Sequence, residues 1–198
     1  RCLTCTRICP HAAFAYSTAP ARSAVSASAA ACRECGVCVA ECPRLVLDLV
    51  SFPDLGMVSF LEEVKKLGPS NPVVVYGCQR SASRAVGHLT LPNDVLFCSV
   101  PCAGRVSEAL LWATLEAGAA GILVAGCHPG NCASSSGTDW ARARAESVLE
   151  KLGLPSGIPA PIGYVTVAAN EAARFGRTIA EFCESLAREN EREALTGK

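Results

Sequence analysis

Cys32, Cys35, Cys38 and Cys42 stand in the spacing Cys-x2-Cys-x2-Cys-x3-Cys, and Pro43 follows the last of them. Cys2, Cys5 and Cys9 repeat the end of that run as Cys-x2-Cys-x3-Cys, closed again by a proline, Pro10. Thiolates at this spacing are the ligand pattern of an iron-sulfur cubane. Three cysteines three residues apart wrap one face of the cluster, and the proline forbids the chain from continuing as helix past the fourth. Zinc favours paired Cys-x2-Cys knuckles over a triple-plus-one run. An odd total of 13 cysteines leaves at least one thiol without a disulfide partner. The chemistry these residues point to is one-electron transfer.

In the two-cluster ferredoxin arrangement the fourth cysteine of each run ligates the other cluster. Cys9, Cys32, Cys35 and Cys38 are therefore expected to hold one 4Fe-4S cluster. Cys2, Cys5 and Cys42 are expected to hold a second, whose missing ligand is expected two residues before Arg1.

The elements that must position these thiols change character near residue 50. Residues 1–50 read as a small ferredoxin-type 4Fe-4S domain, truncated at its N-terminus, with an Ala/Ser-rich insert from Ser17 to Ala31 expected to be a flexible loop. Residues 51–70 read as a connecting helix, with Val58, Leu61, Val64 and Leu67 at helical spacing and Gly68-Pro69 stopping it. Residues 71–198 alternate strand and helix. Strands are expected at Val73 to Gly77, Val95 to Ser99, Gly121 to Ala125 and Ile162 to Val167. Helices are expected at Ser81 to Gly87, Val106 to Ala117, Thr138 to Leu152 and Glu171 to Asn190. Gly118 and Gly153 are placed as C-terminal caps. Phe175, Ile179, Phe182 and Leu186 mark one face of the last helix. Near-continuous apolar strands between helices predict an α/β class, with a parallel sheet covered on both faces in a flavodoxin- or Rossmann-like three-layer arrangement.

That architecture places four more cysteines together. Cys78 ends the first strand, Cys102 lies just past the second, and Cys127 and Cys132 follow the third. Ligands of open α/β sheets bind at this carboxyl edge. Four thiols from three loops suggest a second kind of metal site, best read as a 2Fe-2S centre anchored by the Cys127-x4-Cys132 pair.

At these residues the chain resembles a known family. Tyr76-Gly-Cys78-Gln-Arg80, Val100-Pro-Cys102-Ala-Gly-Arg105-Val106 and Val124-Ala-Gly-Cys127-His-Pro-Gly-Asn-Cys132 look like the delta subunit of methyl-viologen-reducing hydrogenases, over about residues 72 to 188. That family also occurs fused to heterodisulfide-reductase A-type flavoproteins and to quinone-interacting oxidoreductase subunits. The resemblance implies a 2Fe-2S cluster on Cys78, Cys102, Cys127 and Cys132. It implies relay of electrons between a hydrogenase or formate dehydrogenase-type donor and a heterodisulfide reductase-like partner, with FAD on an upstream domain or a partner. Members commonly carry a further cysteine three residues after the one matching Cys78; here that place is Ser81.

Other features have plainer readings. Cys98 reads as a small buried strand residue, and Cys183 as a core or surface thiol. His128 lacks the second histidine that Rieske chemistry needs, and His11 and His88 show no matching motif. Arg105 could offset the negative charge of a four-thiolate cluster beside Cys102, and a solvated arginine fits the sequence as well. The formal net charge is zero, with no basic run, which argues against a nucleic-acid partner. No apolar stretch is long enough for a membrane span, and the thiol-rich composition suits a cytoplasmic setting. No catalytic triad, phosphate loop or dinucleotide fingerprint stands out. The expectation is an electron-transfer component of an oxidoreductase. A redox- or metal-sensing regulatory module with a zinc or thiol/disulfide site, and a docking subunit with an empty α/β site, remain as alternatives.

Overall fold

A computed structural model describes residues 2–18, 24–67, 72–154 and 160–196. In the N-terminal part, helices α1 (Thr4–Ile8) and α2 (Val37–Ala40) each precede the last cysteine of a run, and strands β1 (Phe14–Ser17) and β2 (Ala24–Ala27) form an antiparallel pair. The two runs share backbone conformation as well as spacing. Leu3 and Gly36 both take left-handed conformations as N-caps, with φ 53° and 78°. Ala12 and Leu45, each three residues past a run's final cysteine, do the same at φ 51° or less. A non-glycine residue in this region costs about 1–2 kcal/mol, so its recurrence at matching places marks two copies of one loop. The stretch from Ser17 to Ala31, expected as a loop, contains β2, because Ala24 to Ala27 pair with Phe14 to Ser17. Residues 19–23 of that insert lie outside the described residues.

The larger part carries a four-stranded parallel sheet of β3 (Val73–Cys78), β4 (Val95–Val100), β5 (Gly121–Gly126) and β6 (Ile162–Thr166), in the order β4-β3-β5-β6. Strand alternation supplies two apolar faces. Val74, Tyr76, Ile122 and Val124 face a core shared with Met57 and Leu61 of α3 (Asp54–Leu67), Leu110 and Leu111 of α5 (Glu108–Glu116), and Ala141, Ala145 and Val148 of α6 (Gly137–Leu152). Val73, Val75, Leu123 and Ala125 face the opposite core, with Ala82 and Ala85 of α4 (Ala82–Val86) and Phe175, Ile179 and Leu186 of α7 (Ala172–Thr196). Burial of a side chain of that size contributes roughly 1.5–3 kcal/mol, and these three α7 residues hold that helix against the sheet. Phe182 packs against the same core.

Helix α3 does more than connect, since Met57 and Leu61 are buried in the α/β core. The side chains of Val58, Val64 and Leu67, and the Gly68-Pro69 stop, lie outside the described residues. Ser107 caps α5, its Oγ accepting from the Leu110 amide at 3.1 Å. Gly153 ends α6 in the left-handed conformation expected of a C-cap.

The strand order has one consequence for chemistry. After β3 the chain moves outward to β4, then returns across β3 to lay β5 on its other side. The carboxyl ends of β3 and β5 therefore flank the switch point, where the departing connections diverge and leave a crevice.

Candidate metal centres

Cys78 ends β3 and Cys127 directly follows β5, so the switch point itself brings their sulfurs to 3.7 Å. Cys102, just past β4, and Cys132, in the loop before α6, come to 4.0 Å. Two thiolates sharing one tetrahedral metal with bonds of about 2.3 Å stand roughly 3.8 Å apart, so both separations fit a shared metal. The close pairs run between loops, whereas the sequence points to Cys127 and Cys132 as the anchoring pair. Among the described residues no group of three or more His, Cys, Asp or Glu side chains converges closely enough to chelate a single ion. The donor set is one of pairs.

The backbone is shaped around these sulfurs. A Cβ added at Gly137, the first residue of α6, would lie 2.5 Å from the Cys102 sulfur and 3.4 Å from that of Cys132. Glycine thus lets the positive end of a four-turn helix meet two thiols without an intervening side chain. Hydrogen bonds from Cys102 and Cys127 hold the Cys78 thiol well below its usual range despite burial, with help from the Arg80 amide. Cys132 is also held low, first by Cys102 and then, against burial, by the amides of Ser134 and Thr138. Cys102 is pushed up by its contacts with Cys132 and Cys78, and Cys127 by its contact with Cys78, with burial adding in both.

Around this set lie Ser81 and His128. Ser81, at the place where a fifth cysteine is common in the family, is buried with its Oγ 3.5 Å from the Cys127 sulfur. His128 Nε2 is 2.6 Å from Glu171 Oε2, which also accepts from the Ala168 amide at 2.7 Å and from Arg174 at 3.0 Å. The cysteine loop after β5 is thereby tied to the start of α7.

In the N-terminal part, the Cys38 thiol is pushed up to about 11, first by burial and then by the charges of Cys35, Cys9 and Cys32. The charge of Cys9, from the other run, thus acts on Cys38 together with those of its own run. Amides of Ala13 and Glu34 donate to the Cys9 and Cys32 sulfurs, each at 3.4 Å. Cys42 instead lines a cavity of about 470 Å³ with Cys2 and Cys5. Burial alone would raise its thiol, yet the amides of Val46, Arg44, Leu47 and Leu45 together hold it below its usual value.

Arg105 packs against the N-terminal part. It is 2% exposed, which removes the solvated alternative. Its stem fills the space where a Cβ of Gly36 would come 2.4 Å from its Cδ, and its guanidinium stands 5.8 Å above the Phe52 ring and 4.0 Å from Asp48. The cation lies against the loop between Cys35 and Cys38. Arg144, which the sequence did not single out, is buried too, donating from Nε to Glu41 and from Nη1 to the carbonyls of Gly104 and Val106. It joins α6 to the short turn carrying Arg105 and to the residue before Cys42. Cys98 is buried in β4, its thiol pushed up to about 11 by that burial, and Cys183 is half-buried against the α7 core.

The two sets of cysteines share a wall. A cavity of about 170 Å³ is lined by Cys78, Cys102, Cys127 and Cys132 on one side and by Cys35, Arg33 and His11 on the other. No helix among the described residues is long and apolar enough to cross a membrane.

Comparison with known proteins finds relatives among iron-sulfur subunits and heterodisulfide reductase subunits. The chain is 32% identical over 108 residues to an iron-sulfur subunit of the F420-non-reducing hydrogenase of Archaeoglobus profundus, covering 53% of this chain and 78% of that protein. It is 29% identical over 104 residues to one subunit of the ferredoxin/F420H2-dependent CoB-CoM heterodisulfide reductase of Methanosarcina acetivorans, covering 51% of this chain and only 13% of that one. It is 27% identical over 93 residues to the corresponding vhc iron-sulfur subunit of the F420-non-reducing hydrogenase of Methanococcus voltae, covering 46% of this chain and 62% of the relative. Residues 73–188, more than half of the chain and the whole of the four-stranded sheet with its cysteine loops, match the family described as methyl-viologen-reducing hydrogenase, delta subunit, and the chain belongs to that family.

Proposed function

We propose that this protein is an iron-sulfur electron-transfer subunit, or part of one, that conducts electrons between a hydrogenase- or formate dehydrogenase-type donor and a heterodisulfide reductase-like flavoprotein. In this reading Cys78, Cys102, Cys127 and Cys132 hold a 2Fe-2S cluster. Cys9, Cys32, Cys35 and Cys38 hold one 4Fe-4S cluster, and Cys2, Cys5 and Cys42 contribute to another. Bound clusters supply reversible one-electron chemistry without proton or group transfer.

The observation that carries the reading is the pairing of four sulfurs at 3.7 and 4.0 Å across the switch point, in a cavity whose far wall is Cys35. This chain's own residues hold the thiols at metal-sharing distances, direct amides and the α6 N-terminus at their charge, and keep the sites against one another. Gly36 and Gly104 permit that contact: a Cβ at Gly104 would stand 2.7 Å from the Val37 side chain of α2. Leu45, Val46 and Val50 are exposed beside Cys42, an apolar rim suited to a docking partner.

Anaerobic purification followed by iron, acid-labile sulfide and zinc analysis tests the proposal, together with electron paramagnetic resonance of the reduced protein. Iron and sulfide with both 2Fe-2S and 4Fe-4S signals are expected. Zinc without sulfide would replace the reading by a metal-sensing one.

A further inference from the structure

His11 follows the first cysteine run as Cys9-Pro10-His11, and nothing in that motif calls for an imidazole; the matching place in the second run is Arg44. Its side chain nonetheless lines the cavity bounded by the sulfurs of Cys78, Cys102, Cys127 and Cys132. Its Nε2 is shielded from solvent and has no hydrogen-bond partner in the protein. Buried polar atoms are almost always paired, so an unpartnered ring nitrogen on a residue that shares a cavity with four cysteines indicates an acceptor that belongs there.

We infer that His11 donates a hydrogen bond from Nε2 to a sulfur of the iron-sulfur group held by the four α/β cysteines, and so sets that centre's potential from the neighbouring domain's side. The inference rests on the 2Fe-2S reading above. A neutral imidazole has one N–H, and placing it at Nε2 satisfies the orphaned atom. A donor to cluster sulfur stabilises the more negative, reduced state and raises the reduction potential. Only Pro10 separates this donor from Cys9, so one short stretch of chain touches both centres. Arg33 and Arg80 line the same cavity and add positive charge, but their guanidinium groups carry no ring nitrogen and are spectroscopically distinct from an imidazole.

The test uses the full chain carrying its clusters, with the three histidine rings labelled by 15N. Pulsed electron paramagnetic resonance of the reduced 2Fe-2S signal is expected to show a weak imidazole-nitrogen coupling that disappears in His11→Leu. Redox titration is expected to place the 2Fe-2S midpoint of His11→Leu below that of the wild type, with His11→Gln, which keeps a donor of similar reach, in between. Should His11→Leu fail to fold, loss of the coupling and a lowered midpoint in His11→Gln decide the question equally. A 2Fe-2S signal with no histidine coupling, or with an unshifted midpoint in both variants, would overturn the inference and leave the 2Fe-2S reading standing. A strong coupling typical of a ligated imidazole would overturn it too, by making His11 a ligand. Wild-type protein without iron and sulfide would defeat the underlying reading instead.

Discussion

Arg144 Nε donates to Glu41 Oε1 at 2.7 Å, joining helix α6 of the parallel-sheet part to the residue that precedes Cys42. The same guanidinium satisfies two carbonyls of the turn after Cys102, so one side chain ties the two parts of the chain together. Lysine cannot reproduce this, because a single ammonium lacks the planar fork that serves three acceptors in fixed directions.

Arg144→Ala is accordingly expected to destabilise the protein by about 2–4 kcal/mol. Breaking one side of a fully buried pair costs roughly 3–5 kcal/mol. Glu41 keeps 26% of its side-chain exposure, so water recovers part of the loss. Urea unfolding under anaerobic conditions measures it, and Arg144→Lys should fall nearer to the alanine variant than to the wild type.

Gly137→Ala should selectively remove the α/β centre. The new methyl would stand 2.5 Å from the Cys102 sulfur, and the backbone behind it opens a helix and cannot retreat without shifting α6. The reduced protein is expected to lose its 2Fe-2S resonance while the 4Fe-4S resonances remain. An unchanged 2Fe-2S signal would show that the sulfur moves aside freely.

Cys132→Ser and Cys98→Ser should separate site from scaffold. Cys132 is paired with Cys102, whereas Cys98 is buried in β4 between core neighbours. Serine at 132 is expected to lower bound iron and sulfide and abolish or alter the 2Fe-2S spectrum. Serine at 98 is expected to preserve iron content and cost about 1–3 kcal/mol, the penalty of burying a hydroxyl without a partner.

The link between the Cys127 loop and α7 should carry an acid limit. Arg174 first, then the Ala168 amide and His128, hold the Glu171 carboxyl down to about 2 from its ordinary 4.5. Because the folded value lies below the unfolded one, the contribution is full above pH 4.5 and is lost as pH falls toward 2. The difference in urea midpoint between wild type and Glu171→Gln should therefore be constant above about pH 4.5 and shrink below it. A difference that grew on acidification would contradict the assignment.

Much of this architecture was legible in the chain. The expected strands end within a residue of the observed ones, because short β-branched runs flanked by glycine, proline and polar residues leave little choice of element. Gly153 falls where only a left-handed cap fits. The antiparallel pair near the N-terminus escaped notice because Ala24 to Ala27 are small and exposed on every residue, with no apolar alternation to read. Arg105 was placed by its neighbour in sequence, Cys102, but a long side chain reaches whichever surface packs opposite its turn. For Arg105 that surface is the loop around Gly36. Arg144 carried no signal in sequence: it matters through contacts with residues far along the chain.

The sequence by itself determined which residues are thiols at cluster spacing, since ligands three residues apart are held near one another by local chain geometry alone. It also determined how many parallel strands there are and their succession along the chain. The tertiary structure decided which thiols meet across loops, because that depends on β5 returning past β3 to lie on its far side. No local periodicity encodes that reversal, and it brings Cys78 against Cys127.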